Sequence, residues 1–147
     1  MDLDQLLTSL IVLPGEAEWV EFKQNNENPR EIGECLSALA NSAALLGKEC
    51  AYLVWGVEDR THRIVGTTFR PRQTKKGNEE LENWLSHSLA PRTDFRIHEW
   101  NHDTLPMVLF EIQPAVTSPV AFKDTEWIRV GSYKKRLKEH PEKERTL

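Results

Sequence analysis

Between Asn28 and Gly47 the sequence specifies a helix at both of its ends. Asn28 can cap it, Pro29 suits the first helical position, and Glu31 stands three residues after the cap. Ile32, Cys35, Leu36, Leu39, Ala43 and Leu46 recur at helical spacing and form one apolar stripe. Gly47 can close the helix in a left-handed conformation. Such a stripe needs a surface to cover, and one follows directly. Cys50–Val57 is a near-continuous apolar run, fit for a central strand buried on both faces.

The rest of the chain supplies the layers around that pair. Leu3, Leu6, Leu7 and Leu10 give an amphipathic helix behind an Asp2 cap, ended by Pro14-Gly15. Ala17–Lys23 reads as a strand, with Val20 and Phe22 on one face and Trp19, Glu21 and Lys23 on the other. Asn78 is expected to cap a second amphipathic helix carrying Leu81, Trp84, Leu85 and Leu89, stopped before Pro91. Phe95–Trp100 and Met107–Ile112 read as a hairpin, and Val120–Phe122 and Trp127–Val130 as short strands. The whole is an α+β fold: a mixed sheet with one long helix packed on a face and additional antiparallel hairpins. A chain of 147 residues holds one such core. The core is expected over residues 1–132, with 133–147 a basic, polar tail leading into a following region of a longer protein.

Charge is unevenly spread. The net charge is −4, yet residues 1–34 hold eight acidic and two basic residues. Two stretches carry bases without acids: Phe69–Gly77, and Arg129–Lys138 with Arg129, Lys134, Lys135, Arg136 and Lys138. No apolar run is long enough to span a bilayer, so no membrane partner is expected. The N-terminus is acidic where a signal peptide would be basic. Cys35 and Cys50 are too few for a disulfide framework or a four-ligand zinc site. A reduced, cytoplasmic protein is the expectation, and a homodimer is left open.

Several chemistries find no motif. Gly47-Lys48 is followed by Glu49, and position 42 is Ser, so there is no phosphate-binding P-loop, and ATP is not supported by any motif. His98 and His102 are the one i, i+4 histidine pair, on a strand and its turn, where that spacing does not make a metal site. Acidic residues are better placed. Glu16, Glu18 and Glu21 surround the start of one strand, and Glu58-Asp59 ends the central one. If the two strands pair, these carboxylates could gather, and Mg²⁺ or Mn²⁺ takes two or three of them. Trp19 and Trp100 could stack a base, although packing at the rim of the core is the commoner use of such side chains. Asn41 is expected to bond local backbone near its helix end.

In order along the chain stand Glu16 with Val20-Glu21-Phe22-Lys23, Ser37-Ala38-Leu39-Ala40-Asn41, Leu53-Val54-Trp55-Gly56-Val57-Glu58-Asp59, Ile64-Val65-Gly66 and Trp127-Ile128-Arg129-Val130-Gly131-Ser132. With these pieces the sequence resembles the Schlafen AlbA-type domain. It departs in one place: the family's short Gly-Gly turn into the central strand is replaced by Ser42–Cys50, with only Gly47. The resemblance implies an AlbA-like fold and nucleic-acid binding, as RNA or DNA, in a regulatory protein. Bacterial relatives are described as transcriptional regulators or as ATP-binding. Relatives with nuclease activity cut RNA with three carboxylates and a divalent metal. The matching positions are Glu16, Glu21 and Asp59, which would serve as both metal ligands and catalytic groups of an endoribonuclease. Nucleic acid is then expected to meet Lys23, Arg129, Lys134, Lys135 and Arg136.

Overall fold

The computed structural model describes residues 2–13 and 17–147. Helix α1 (Leu3–Ile11) starts where the Asp2 carboxylate accepts the Gln5 N–H at 3.1 Å. Strand β1 (Val20–Lys23) leads into α2 (Pro29–Leu46). The Asn28 side chain accepts the Glu31 N–H, and Gly47 closes the helix at φ 68°. Strand β2 (Ala51–Trp55) then lies parallel to β1, with Glu21 opposite Leu53. Parallel neighbours need a crossover of this kind, and α2 supplies it.

Strands β3 (Lys75–Lys76) and β4 (Glu79–Glu80) form a two-rung hairpin ahead of α3 (Leu81–Ser88) and β5 (Leu89–Ala90). The long hairpin β6 (Phe95–His102) and β7 (Leu105–Ile112) completes a mixed sheet of order β1-β2-β7-β6. Strands β8 (Ala121–Phe122), β9 (Thr125–Val130) and β10 (Tyr133–Arg136) form, with β5, a second, antiparallel sheet of order β10-β9-β8-β5. A short helix α4 (Pro141–Thr146) ends the chain.

Alternation along β1, β2 and β7 divides the core in two. Val20, Phe22, Val54 and Leu109 face α1 and pack with Leu7 and Leu10. Leu53, Trp55, Val108 and Phe110 face α2 and pack with Leu36, Leu39 and Ala43. The second sheet lies against α2 as well, so Ile32 through Ala43 are nearly all buried.

Burial on that second side falls on polar residues, and their bonds explain why. In the β8–β9 register, Ala121 pairs with Glu126, so Val120 and Trp127 would form the next rung. Side chains of α2 take its place. Ser37 Oγ donates to the Val120 carbonyl at 2.7 Å and accepts the Trp127 N–H at 3.0 Å. Asn41 Nδ2 donates to both carbonyls, at 3.0 and 2.8 Å, and Asn41 Oδ1 accepts the Val120 N–H at 2.8 Å. Ser42 Oγ accepts the Arg129 N–H at 3.1 Å. Every backbone group of that missing rung is therefore satisfied by a helix, as buried polar groups must be. Asn41 bonds distant backbone, not the local backbone its position suggested.

Three other expectations change. Asn78 does not cap α3. It turns the β3–β4 hairpin together with Gly77 (φ 66°), and cross-strand rungs Lys75–Glu80 and Lys76–Glu79 set opposite charges face to face. Leu46 leaves the apolar stripe and is exposed. Residues 133–136, expected as the start of a polar tail, pair with β9 after a turn at Gly131 (φ 62°), and Leu137 beyond them is fully buried.

Candidate nucleic-acid interface

The sheet brings Glu21 and Lys23 together, as their shared face on β1 requires. Lys23 Nζ lies 3.1 Å from Glu21 Oε2. The Cys35 thiol donates to the same oxygen at 3.3 Å, and Arg129 Nε lies 3.6 Å from Glu21 Oε1. Burial, followed by the Glu21 charge, pushes the Cys35 thiol up to about 12, so it stays protonated. Burial opposes the charge on Lys23, but the Glu21 carboxylate, through its charge and its hydrogen bond, and Glu31 help to outweigh that and hold its pKa above the usual lysine range. Arg129 is 4% exposed, and its Nη1 donates to the Ala17 carbonyl at 2.9 Å and to the Val20 carbonyl. It thereby satisfies backbone at the outer edge of β1, the work of a neighbouring strand.

Asp59 does not join this cluster. It is exposed in the turn after β2 and lines a crevice with Leu10, Val20, Phe22, His62 and Arg129, in which Val20 and Phe22 stand on the face of β1 opposite Glu21. Glu16 lies outside the described residues. Among the described residues no three Asp, Glu, His or Cys side chains are arranged to hold a metal ion. The donors that are described do not fit a hard divalent cation, because the Glu21 carboxylate is already matched to a lysine and an arginine.

The expected basic set is likewise divided. Strand alternation puts Lys134 and Lys135 on opposite faces of β10. Lys134 reaches α2 and contacts Glu34 at 2.5 Å. Lys135 stands over the Tyr133 ring, and Arg136 pairs with Glu139 at 3.5 Å.

Through Glu34 and the Trp127 ring, Lys134 lies beside a groove that the sequence did not point to. Its volume is about 380 Å³, and its walls come from four segments. The first turns of α2 give Arg30 and Glu34, 3.4 Å apart; the β3–β4 hairpin gives Lys76, and α3 gives Trp84. The fourth segment is the β8–β9 hairpin, with Phe122, Lys123, Thr125 and Trp127. Thr125 and Trp127 share a face of β9 because they are two residues apart. Lys123 is turned outward by a tight turn in which it and Asp124 both have positive φ, 48° and 70°. Phe122 forms the floor only because residue 33 is glycine. A Cβ there would stand 2.1 Å from the Phe122 ring.

Charge and aromaticity coincide in this groove. Lys123 and Lys76 ammonium groups lie 5.1 and 5.8 Å from the Trp84 ring centre, and Lys134 lies 5.3 Å from that of Trp127. Three cations, Arg30, Lys76 and Lys123, thus line the groove with one carboxylate, Glu34, which Arg30 and Lys134 both contact. Trp19 and Trp100, which could have stacked a base, take the commoner packing role instead. Trp19 packs edge-on to Tyr52, and Trp100 Nε1 donates to Asp4 at 2.9 Å. Lys76 belonged to a basic stretch visible in the sequence. Arg30 and Lys123 are isolated cations there, and only the fold brings them alongside it.

Residues 16–138 match the family described as Schlafen, AlbA_2. No curated protein matches the chain. Among solved structures, one similar fold is the N-terminal domain of a protein from Nitrosomonas europaea described as related to the ATP-dependent DNA helicase RecG. It is 19% identical with a TM-score of 0.57, over 90% of each chain. Another is the DIP2311 protein from Corynebacterium diphtheriae, 18% identical with a TM-score of 0.55. That match covers 91% of this chain and 25% of the other, so the chain spans about a quarter of that protein's length.

Proposed function

Because the chain belongs to the Schlafen AlbA_2 family, and because three cations from separate segments line one groove with Lys134 beside it, we propose that it is a nucleic-acid-binding domain whose contact face is that groove. The convergence is the observation that carries the reading. The overall charge is negative, so attraction to phosphate has to come from a local patch. Arg30, Lys76, Lys123 and Lys134 form such a patch, with Glu34 already neutralised by Lys134 and Arg30. Arg129 and Lys23, both turned toward Glu21, are outside it. The family's association with nucleic acid supports the same reading, as does the DNA-helicase relationship in the description of the Nitrosomonas neighbour. A regulatory role would follow from binding within a longer protein.

Fluorescence anisotropy on a labelled oligonucleotide over a range of salt tests it. Phosphate contacts release counterions, so four contacts to a single strand predict a log–log slope of about −3. Lys76→Ala with Lys123→Ala should halve that slope, whereas Lys135→Ala, on the other face of β10, should leave it unchanged. A slope untouched by the double substitution would move the contact elsewhere.

A further inference from the structure

The two tryptophans say more than the cations do. Resting on the reading above, we infer that the groove takes an unpaired nucleobase, stacked on Trp84 or Trp127, so that the domain selects single-stranded over duplex nucleic acid. Phosphate attraction alone needs no aromatic lining. Here Trp84 projects from α3 and Trp127 from β9 into the same cavity, both part-exposed, with Phe122 beneath. At about 380 Å³ the space falls in the range of small-ligand sites, roughly 300–1,000 Å³.

The lysines over the rings do not block a base. A lysine resting on an exposed ring is held only weakly. A base stacked on the same ring is held more strongly. A base therefore displaces Lys123 or Lys76 from Trp84, and the freed ammonium is left within reach of the adjoining phosphate. A duplex keeps its base faces inside the stack and cannot use the rings. Stacking uses only the face of the base, so RNA and DNA single strands should both bind.

The test uses the full chain and four probes of one length: oligo-U, oligo-dT, an abasic deoxyribose-phosphate strand, and duplex DNA. Oligo-U and oligo-dT are expected to bind at least tenfold more tightly than the abasic strand or the duplex. They should also quench tryptophan emission, which the abasic strand should not. Trp84→Leu and Trp127→Leu, checked for folding by circular dichroism, should each lower oligo-dT affinity about tenfold and leave abasic binding within twofold. Equal binding of abasic and base-bearing strands would overturn the stacking site while leaving the nucleic-acid reading intact. Failure of every probe to bind at low salt would overturn that reading too.

Discussion

Replacing Asn41 by alanine removes the side chain that stands between Val120 and Trp127. The Val120 carbonyl keeps its bond from Ser37 Oγ, and the Trp127 N–H keeps its acceptor, the same oxygen. The Val120 N–H and the Trp127 carbonyl lose the Asn41 side chain that holds them. Each stranded group costs about 1–3 kcal/mol, so the pair should cost about 3 kcal/mol or more. Asn41 is fully buried, which leaves solvent little opportunity to replace it. Asn41→Asp should be no better, because a carboxylate cannot donate to two carbonyls. Urea unfolding measures this directly. With a slope of about 2 kcal/mol/M, the midpoint should fall by about 1.5 M at unchanged slope. A loss below 1 kcal/mol for Asn41→Ala would refute the view that α2 substitutes for a strand rung.

Three other outcomes follow from the same packing. Gly33→Ala gains about 1 kcal/mol of helix propensity but drives a methyl into the Phe122 ring, at a typical cost of about 1–3 kcal/mol. A net loss in thermal stability is expected, with weaker oligonucleotide binding as Phe122 shifts, and an unchanged melting temperature would contradict the contact. Cys35 should resist iodoacetamide at pH 8 in the native protein and react once unfolded, since its pKa stands at about 12; rapid native labelling would show the thiol is not held as described. The side-chain bonds from His102 and Trp100 lower the Asp4 pKa. A folded value below the unfolded one means that this contribution to stability is present above the ordinary carboxylate range and lost as pH falls through the lowered value. The difference in melting temperature between wild type and Asp4→Asn should therefore shrink on acidification from pH 6 to pH 3, and a constant difference would count against the tether.

What the sequence made legible was local. Asn28, Pro29 and Gly47 act on backbone within a turn of themselves, so α2 lies where their spacing predicts. The apolar run of β2 and the alternation of β1 likewise report burial residue by residue. Asn41 could not be read this way, because its partners are 79 and 86 residues away. Arg129 misled for a related reason. A lone arginine near lysines looks like surface charge, and only the approach of β9 to the outer edge of β1 buries it. The groove was hidden by the same limit. Trp84 reads as one more apolar residue in a helical stripe, and Trp127 as the start of a strand. Their convergence with Arg30, Lys76 and Lys123 depends on three separate packing contacts with α2.

The chain has five tryptophans, and their indole N–H resonances divide the surface into separable reports. Titrating ¹⁵N-labelled protein with a short oligo-dT should shift Trp84 and Trp127, which line the groove. Trp55, fully buried and bonded to the Asn26 carbonyl at 2.7 Å, and Trp100, bonded to Asp4, should stay in place. Movement of Trp100 or Trp19 with Trp84 and Trp127 unmoved would contradict the assignment of the interface.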